Sequence, residues 1–393
     1  MTLPVTAPGS PASLRAANQQ RVISVLQQQV GAVTISQAEI ARQTQLAPAT
    51  VSNIVRDLTA SGLLDTRAGA GRRGTTVRIA LAAGVVAGVD VGHRHIAVAV
   101  ADLQGETLTE DRVAISPTHH HHEALDKVGD MLSTLRGRLP AGSGPLLSIG
   151  MGLPAPLDAD GVVIPSSILP GWVGIDARAV ATDYLLCDVH LENDANLGAL
   201  AEYHRGSGRG EPCLVYLKAS SGLGGGLMLD GKLFRGGAGM AGEIGHLPLD
   251  ENGPVCRCGS RGCLEAYTSV ETVKALLAEQ HPDASFADIV AAARHGDVAA
   301  LRVIEDAGRH LGWGVSMVVK LLSPTCLVIG GELAQAGDLL VDAVRIGMRR
   351  HSLGLEGEGI AIRIAELQER SSLVGAVLLA LERTELAVPV TAG

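Results

Sequence analysis

The order of apolar and polar residues in the first eighty positions predicts three helices followed by two strands. The first helix is predicted over 15–29, where apolar residues recur at helical spacing: Val22, Ile23, Val25 and Leu26. Ser36 and Glu39 have the spacing of a capping box, so a short second helix is predicted to begin there. The third helix is predicted over 48–61, with an apolar inward face: Val51, Ile54, Val55 and Leu58.

Polar residues occupy the outward face of the third helix and the segment after it. The sequence LLDTRAGAGRRGTTVRIAL predicts two strands joined by an arginine-bearing tip. Three short helices and such a hairpin are typical of winged helix-turn-helix DNA-binding domains. The predicted DNA contacts are Thr50, Ser52, Asn53 and Arg56 on the helix, and Arg72 and Arg73 at the tip. The alternative is a small helical adaptor with a solvated polar face.

Beyond residue 83, apolar runs alternate with glycine turns and helical patterns. The stretches VVAGVDVGHRHIAVAVADLQG and CLVYLKASSGLGGGLMLDGKL share one order of apolar strand, glycine turn and second apolar strand. Two such units predict a duplicated α/β architecture with two lobes that face a cleft. VHLENDANLGALAEY predicts a strand that leads into a helix, with Asp194 near the positive end of the helix dipole.

Composition and charge separate a basic head from an acidic body. The chain has 393 residues, 46% of them hydrophobic and 19% charged, which is typical of a globular protein and excludes a disordered one. Residues 1–80 contain eight Arg and three acidic residues, whereas the rest contains 24 basic and 38 acidic residues. A basic head supports nucleic-acid binding.

No stretch predicts a membrane helix, and the first 13 residues resemble a disordered tail rather than a signal peptide, so we expect a cytoplasmic protein.

A cysteine-rich segment predicts a metal centre. In GHLPLDENGPVCRCGSRGCLEAY, four potential ligands lie within 18 residues: His246, Cys256, Cys258 and Cys263. Thiolates and an imidazole among glycine turns suit a tetrahedral structural Zn²⁺ ion. A disulfide is the poorer interpretation in a cytoplasmic protein.

Four motifs of the body resemble those of the ROK family (repressors, open reading frames and sugar kinases). They are ENDAN at 192–196, SGLGGG at 221–226, GEIGH at 242–246 and GCLE at 262–265. The resemblance implies a two-lobed actin-like ATPase (ribonuclease H-like) fold. With the head, it implies a transcriptional regulator of the xylose- and N-acetylglucosamine-repressor type. The expected domains are a winged helix-turn-helix at 14–80, lobe 1 at 83–190 completed by a C-terminal helix at 370–384, and lobe 2 at 191–369 with the zinc site.

The resemblance also implies roles for individual residues. Asn193 and Asp194 would bind sugar hydroxyls, with Asp194 as the base in the family's kinases. Glu243 and Glu265 would accept hydrogen bonds from the sugar, and His246 would bind zinc through one ring nitrogen and the sugar through the other. Carboxylates and amides are suited to gripping a polyol. The alternative is that these acids are helix caps and surface charges.

Two departures from the kinase pattern argue against phosphoryl transfer. The kinases' first phosphate loop reads Asp-x-Gly-(Gly/Thr)-Thr, but here Asp90 and Gly92 are followed by His-Arg-His. Bulky side chains there block the close backbone approach that ATP needs, and phosphoryl transfer depends on positioning. Ile168 replaces an Asn that the kinases use to hold the sugar, although Ser166 or Ser167 can substitute for it.

We therefore predict a DNA-binding repressor whose body senses a sugar or sugar phosphate. It would bind palindromic double-stranded DNA as a homodimer or tetramer, with structural zinc and without ATP. Two alternatives remain: an active ATP-dependent sugar kinase with a DNA-binding head, and an architectural DNA-binding dimer whose body binds nothing. The run His119–His122 is predicted to be a solvated loop, with adventitious metal binding as the alternative.

Overall fold

Three β-sheets organise the residues that the computed structural model describes, which are 11–28, 34–68, 75–158, 161–164, 169–352 and 359–386. The first sheet belongs to the basic head and has three strands, and each of the other two belongs to one lobe of the body and has five. The fold is therefore mixed α/β, as predicted. None of the helices within these ranges is both long enough and apolar enough to span a membrane.

The head is a small helical domain closed by a hairpin. Its elements are α1 (Pro11–Gln28), β1 (Ile35–Ser36), α2 (Gln37–Thr44), α3 (Pro48–Ala60), β2 (Leu64–Ala68) and β3 (Thr75–Ile79). Strand β3 lies between β1 and β2 and is antiparallel to both. The apolar faces predicted for α1 and α3 form the core, where Ile23, Leu26 and Leu58 are fully buried. The periodicity of the sequence thus predicted the head correctly.

Two local details of the head differ from the prediction. Helix α1 begins at Pro11, inside the segment predicted to be a tail, because Pro is well tolerated in the first turn of a helix. The capping box is only half formed. The Ser36 hydroxyl accepts a hydrogen bond from the Glu39 amide at 3.2 Å, but the Glu39 carboxylate bonds to Arg42 and Gln43 instead.

The two sheets of the body have the same topology. The first contains β4 (Val85–Val91), β5 (His95–Asp102), β6 (Thr107–Ala114), β7 (Leu146–Leu153) and β8 (Val189–Asn193). The second contains β9 (Cys213–Ala219), β10 (Leu223–Leu229), β11 (Lys232–Leu233), β12 (Cys326–Gly330) and β13 (Ala361–Ile364). In each sheet the first three strands form an antiparallel meander, and the last two add parallel strands beside the first. This confirms the duplicated architecture.

The described part of the body also contains nine α-helices. They are α4 (His121–Gly137), α5 (Ala177–Leu185), α6 (Asp194–Arg205), α7 (Glu265–Thr268), α8 (Val270–Leu276), α9 (Phe286–Arg294), α10 (Val298–Leu322), α11 (Asp338–His351) and α12 (Ser371–Arg383). Helix α12 packs on β4 and β7 of the first sheet, and α6 packs on β9 and β10 of the second. The two helices also contact each other, so they form the junction between the lobes.

Close packing at this junction explains a glycine in β7. A Cβ atom on Gly150 would lie 2.0 Å from the carbonyl oxygen of Ala376 in α12, which no side chain can tolerate.

Strand β8 pairs with β7 and therefore belongs to the first sheet, so the boundary predicted at residue 190 cuts through this strand. Parallel pairing of this kind joins distant segments, which local sequence patterns do not reveal.

Candidate ligand-binding cleft and metal centre

A cleft of about 970 Å³ lies between the two lobes. Its walls include the end of β4 and the following turn from the first lobe, and the start of α6, β9 and β10 from the second. All five residues predicted to bind a sugar line this cleft: Asn193, Asp194, Glu243, His246 and Glu265. The structure thus brings together residues that are up to 72 positions apart in the chain.

Asn193 and Glu265 are already held by protein partners. The Asn193 side-chain oxygen caps α6 by accepting hydrogen bonds from the amides of Ala195 and Asn196 at 2.9 and 3.2 Å. The Glu265 carboxylate is buried, accepts a hydrogen bond from the Leu223 amide at 2.9 Å and forms an ion pair with the Arg257 side chain, also at 2.9 Å. Asn193 therefore acts as a helix cap, while both side chains still face the cleft.

Glu243 and His246 connect the cleft to the cysteine cluster. The His246 Nε2 atom lies 3.9 Å from the Glu243 carboxylate, and its Nδ1 atom lies 3.8 Å from the Cys256 sulfur. Burial raises the pKa of Glu243, although His246 opposes this effect. One ring nitrogen of His246 thus faces the cluster and the other faces the cleft.

The geometry of the cysteine cluster fits a four-coordinate metal ion. The ligand atoms of His246, Cys256, Cys258 and Cys263 all lie within 4.8 Å of one another. The sulfurs of Cys258 and Cys263 are 3.7 Å apart, close to the edge of about 3.8 Å of a tetrahedron with metal–sulfur bonds of about 2.3 Å. Backbone hydrogen bonds from Cys256 to Ser260 and from Leu249 to Gly262, both 2.8 Å, hold the loop in this shape. These four residues can therefore hold a metal ion.

The turn after β4 is filled by its own side chains. The His95 Nε2 atom lies 2.9 Å from the Asp90 carboxylate, and the imidazole folds back over Gly92. A Cβ atom on Gly92 would lie 2.2 Å from the His95 ring. Arg94 reaches across to lobe 2, where it pairs with Glu271 at 3.3 Å. Of the side chains that the sequence analysis identified as bulky, His95 thus covers the backbone of the turn at Gly92.

His119 supports this turn from beneath, so the prediction of a solvated loop is wrong for this residue. It is 1% exposed. The Trp172 indole N–H donates to its Nδ1 atom at 3.4 Å, and its Nε2 atom lies 3.3 Å from the Gly92 carbonyl oxygen. Since an indole only donates, the proton of the neutral imidazole lies on Nε2 and points at that oxygen. Burial lowers the pKa of His119, which favours this neutral form.

Lys218 is a residue of the cleft that the sequence analysis missed. Its Nζ atom donates to the Asp194 carboxylate at 2.6 Å and to the Ser372 hydroxyl at 3.0 Å. Burial lowers the pKa of Lys218, but Asp194 and Asp90 outweigh burial and raise it overall. Burial likewise raises the pKa of Asp90, but Lys218 and His95 lower it to about 2. A lone charged residue within the otherwise apolar strand CLVYLKA was the available signal.

The predicted DNA-contacting residues of α3 face away from the core of the head. Ser52, Asn53 and Arg56 are exposed and Thr50 is half-buried. The Arg56 side chain is 73% exposed and lies 3.8 Å from the Asp57 carboxylate. Five other residues named in the sequence analysis lie outside the described residues: Arg72 and Arg73 of the predicted wing tip, and Ser166, Ser167 and Ile168.

Comparison with known proteins identifies the family. The ROK family model matches residues 86–383, which is most of the chain, and the MarR family model matches residues 16–74. The chain belongs to the ROK family. Its body has the two-lobed actin-like fold that the motifs implied, and its head is a MarR-like winged helix.

Relatives of this ROK protein include both regulators and kinases. It is 28% identical to a xylose repressor of Bacillus spizizenii over 79% of this chain and 82% of that protein. It is 30% identical to a glucokinase of Streptomyces coelicolor over 76% of this chain and 98% of that enzyme. The solved structure of a ROK family transcriptional regulator, a homolog of the E. coli MLC protein, superposes with a TM-score of 0.75 and 24% identity, covering 93% of this chain and 96% of that one. The match to the regulator includes the head, whereas the match to the glucokinase spans about three quarters of this chain.

Proposed function

We propose that this ROK protein is a sugar-responsive DNA-binding transcriptional regulator that acts as a repressor. The observation that carries the proposal is a winged helix joined to a body whose cleft gathers Asp194, Glu243 and His246. The head would bind operator DNA, and the body would bind a sugar through these side chains, Asn193 and Glu265. Such a regulator acts where the chromosome is, in the cytoplasm.

Packing between the head and the body provides a route from the cleft to the DNA. A single apolar cluster contains Leu26 and Ile79 of the head together with Val86 of lobe 1 and Val377 of α12. Helix α12 also packs against α6, whose first residue is Asp194 in the cleft. A ligand that changes the angle between the lobes would therefore move the head. Regulation follows only if the ligand binds the two arrangements with different affinity.

The head would read DNA through α3 in the major groove. Thr50, Ser52, Asn53 and Arg56 are the proposed base and phosphate contacts, and Arg72 and Arg73 of the wing would contact phosphates or the minor groove. A homodimer, or a tetramer built from dimers, would present two heads to a palindromic operator.

The cysteine cluster would hold a structural Zn²⁺ ion. Three thiolates and an imidazole at tetrahedral spacing are the ligand set that zinc prefers. Bound zinc would fix the ring of His246, so that its Nε2 atom points at the sugar beside Glu243. The ion would thus contribute to folding and to the shape of the sugar site.

A sugar kinase is the weaker candidate function despite the glucokinase relative. The general base of such an enzyme must accept a proton from the sugar hydroxyl. Asp194 is the residue that the family resemblance assigns to this role, but here it accepts a hydrogen bond from the Lys218 ammonium at 2.6 Å. The His95 ring also covers the turn that would cradle the nucleotide phosphates.

Glu243→Gln is expected to weaken the response to sugar without changing operator binding in its absence. Hydrogen bonds to a charged group contribute about 1.5–3 kcal/mol, so the sugar concentration for half-maximal release of DNA should rise about 10–100-fold. Band-shift titrations with and without sugar measure both quantities. Glu279→Gln, which alters an exposed carboxylate outside the cleft, is the matched control. An unchanged sugar response in Glu243→Gln would remove Glu243 from the proposed site.

A further inference from the structure

Asp90, Lys218 and Asp194 form a buried charged triad at the centre of the cleft. They come from the ends of β4 and β9 and from the start of α6, so the triad joins both lobes. The Lys218 and Asp194 side chains are 18% and 9% exposed and are 2.6 Å apart. Asp90 is 1% exposed, and its Oδ2 atom accepts from His95. The triad therefore places two carboxyl groups and one ammonium group away from bulk water.

The ammonium of Lys218 lies beside the two carboxyl groups that could otherwise hold a divalent cation. Two carboxylates at strand and helix ends beside glycine turns are a common way to hold Mg²⁺ together with phosphate oxygens. Here Lys218 supplies the counter-charge from the protein itself, and a hydrogen bond to Ser372 at 3.0 Å fixes its position. A divalent cation would meet this ammonium at close range, which is repulsive in a site screened from water. The residues present therefore do not fit a metal–nucleotide complex.

The other basic side chains of the cleft are also neutralised. Four Arg or Lys residues occur among the described residues that line it, and each pairs with a carboxylate. Besides Lys218, the pairs are Arg94–Glu271 at 3.3 Å, Arg112–Glu369 at 3.0 Å and Arg257–Glu265 at 2.9 Å. Arg257–Glu265 is well shielded, whereas the other two lie at the exposed rim.

Acidic groups remain in excess once these pairs are formed. Seven Asp or Glu side chains line the cleft against four Arg or Lys, so among the described residues Asp90, Glu243 and Glu332 have no ion pair of their own with an Arg or Lys. Imidazoles stand beside two of them, His95 at Asp90 and His246 at Glu243, so hydrogen-bond donors are also present. Carboxylate acceptors attract the hydroxyl groups of a polyol but repel a phosphate, because like charges in a shielded site are costly.

We infer that the effector is an uncharged sugar, bound without phosphate, nucleotide or metal ion, with Lys218 as the resident cation of the cleft. This inference rests on the proposed function and narrows it, since a sugar phosphate would otherwise be an equal candidate. The hydrogen bond from Lys218 orients Asp194 as an acceptor for sugar hydroxyls. Glu243 and Glu265 supply further acceptors at the same wall.

The first test compares each uncharged sugar with its own phosphate ester. Zinc-loaded full-length protein is screened by calorimetry and by release of bound promoter DNA, with xylose, glucose, N-acetylglucosamine, other common aldoses and ketoses, and their monophosphates as probes. An uncharged sugar is expected to bind, and its monophosphate to bind at least about tenfold more weakly. Binding of monophosphates alone, or of no uncharged sugar, overturns the inference. Release of DNA by a monophosphate would also overturn the inference, but the proposed function of a sugar-responsive regulator would still stand.

The second test examines the resident cation with Mn²⁺ as the probe. By electron paramagnetic resonance, the wild-type protein is expected to bind no Mn²⁺ in the cleft, with or without ATP. Lys218→Met leaves two carboxyl groups without their ammonium partner, so this variant is expected to bind one Mn²⁺ ion. The double variant Lys218→Met/Asp90→Asn is expected to lose this Mn²⁺ binding. Lys320→Met, at an exposed position outside the cleft, is the control. Mn²⁺ binding to the wild type that Asp90→Asn or Asp194→Asn removes overturns the inference, even if Lys218→Met fails to fold. A folded Lys218→Met that gains no Mn²⁺ also overturns it.

Discussion

Cys258→Ser is expected to release the bound zinc and to destabilise the body strongly, even though Cys258 is exposed. An exposed Cys-to-Ser change otherwise alters the free energy of unfolding by less than about 0.5 kcal/mol. A structural zinc site contributes about 10–16 kcal/mol of binding free energy in small domains, comparable with the whole stability of many proteins. Elemental analysis should find about one zinc per chain in the wild type and much less in the variant. Thermal unfolding should show the loss of stability.

Cys187→Ser is the matched control for this experiment. Cys187 is half-buried and lies in the first lobe, far along the chain from the cluster. Its replacement should leave the zinc content unchanged and lower the melting temperature only slightly. Equal zinc content and melting temperature in wild type and Cys258→Ser would show that the cluster binds no structural metal.

The double variant Asn53→Ala/Arg56→Ala is expected to lose specific operator binding while remaining folded. Both side chains are exposed on α3, so their truncation leaves the core of the head intact. Each good base contact contributes about 1–3 kcal/mol of discrimination, which predicts a loss of about 100-fold or more for the pair. Band shifts on the protein's own promoter region, with competitor DNA at physiological salt, measure this loss.

Arg302→Ala provides a control for the loss of one exposed positive charge, because Arg302 lies on α10 in the body. It should leave operator affinity unchanged. Calorimetry with the effector sugar should give the same affinity for the double variant as for the wild type, since the cleft is untouched. Specific DNA binding that survives in Asn53→Ala/Arg56→Ala would show that α3 is not the recognition helix.

The fold was largely predictable because its signals are local. Apolar periodicity predicted α1 and α3, and the repeated strand–turn–strand pattern predicted two similar lobes, which the two identical sheet topologies confirm. The predictions were wrong where side chains compete for the same hydrogen-bond partner and where strands pair that are far apart in the sequence. Glu39 binds Arg42 one turn along the helix rather than closing the capping box. Strand β8 joins the first sheet through parallel pairing with a segment about 40 residues away.

The cleft was predictable in its acidic residues but not in its charge balance. Asp194 and Glu243 stand in motifs, whereas Lys218 meets Asp194 only because β9 passes the start of α6. His119 is a second residue whose surroundings could not be predicted from the sequence. Its sequence neighbours are histidines near the surface, yet its ring is buried between Trp172 and the Gly92 carbonyl group. Such contacts depend on how distant elements pack, which a single sequence does not specify.

Release of operator DNA by an uncharged sugar, in buffer without nucleotide or added Mg²⁺, is the most direct test of the account. A band-shift titration of the wild-type protein on its promoter region should show a specific complex at physiological salt. One uncharged sugar should dissociate this complex, and ATP with Mg²⁺ should not change the midpoint of the titration. No specific complex, or a complex that responds only when ATP and Mg²⁺ are present, would contradict the account.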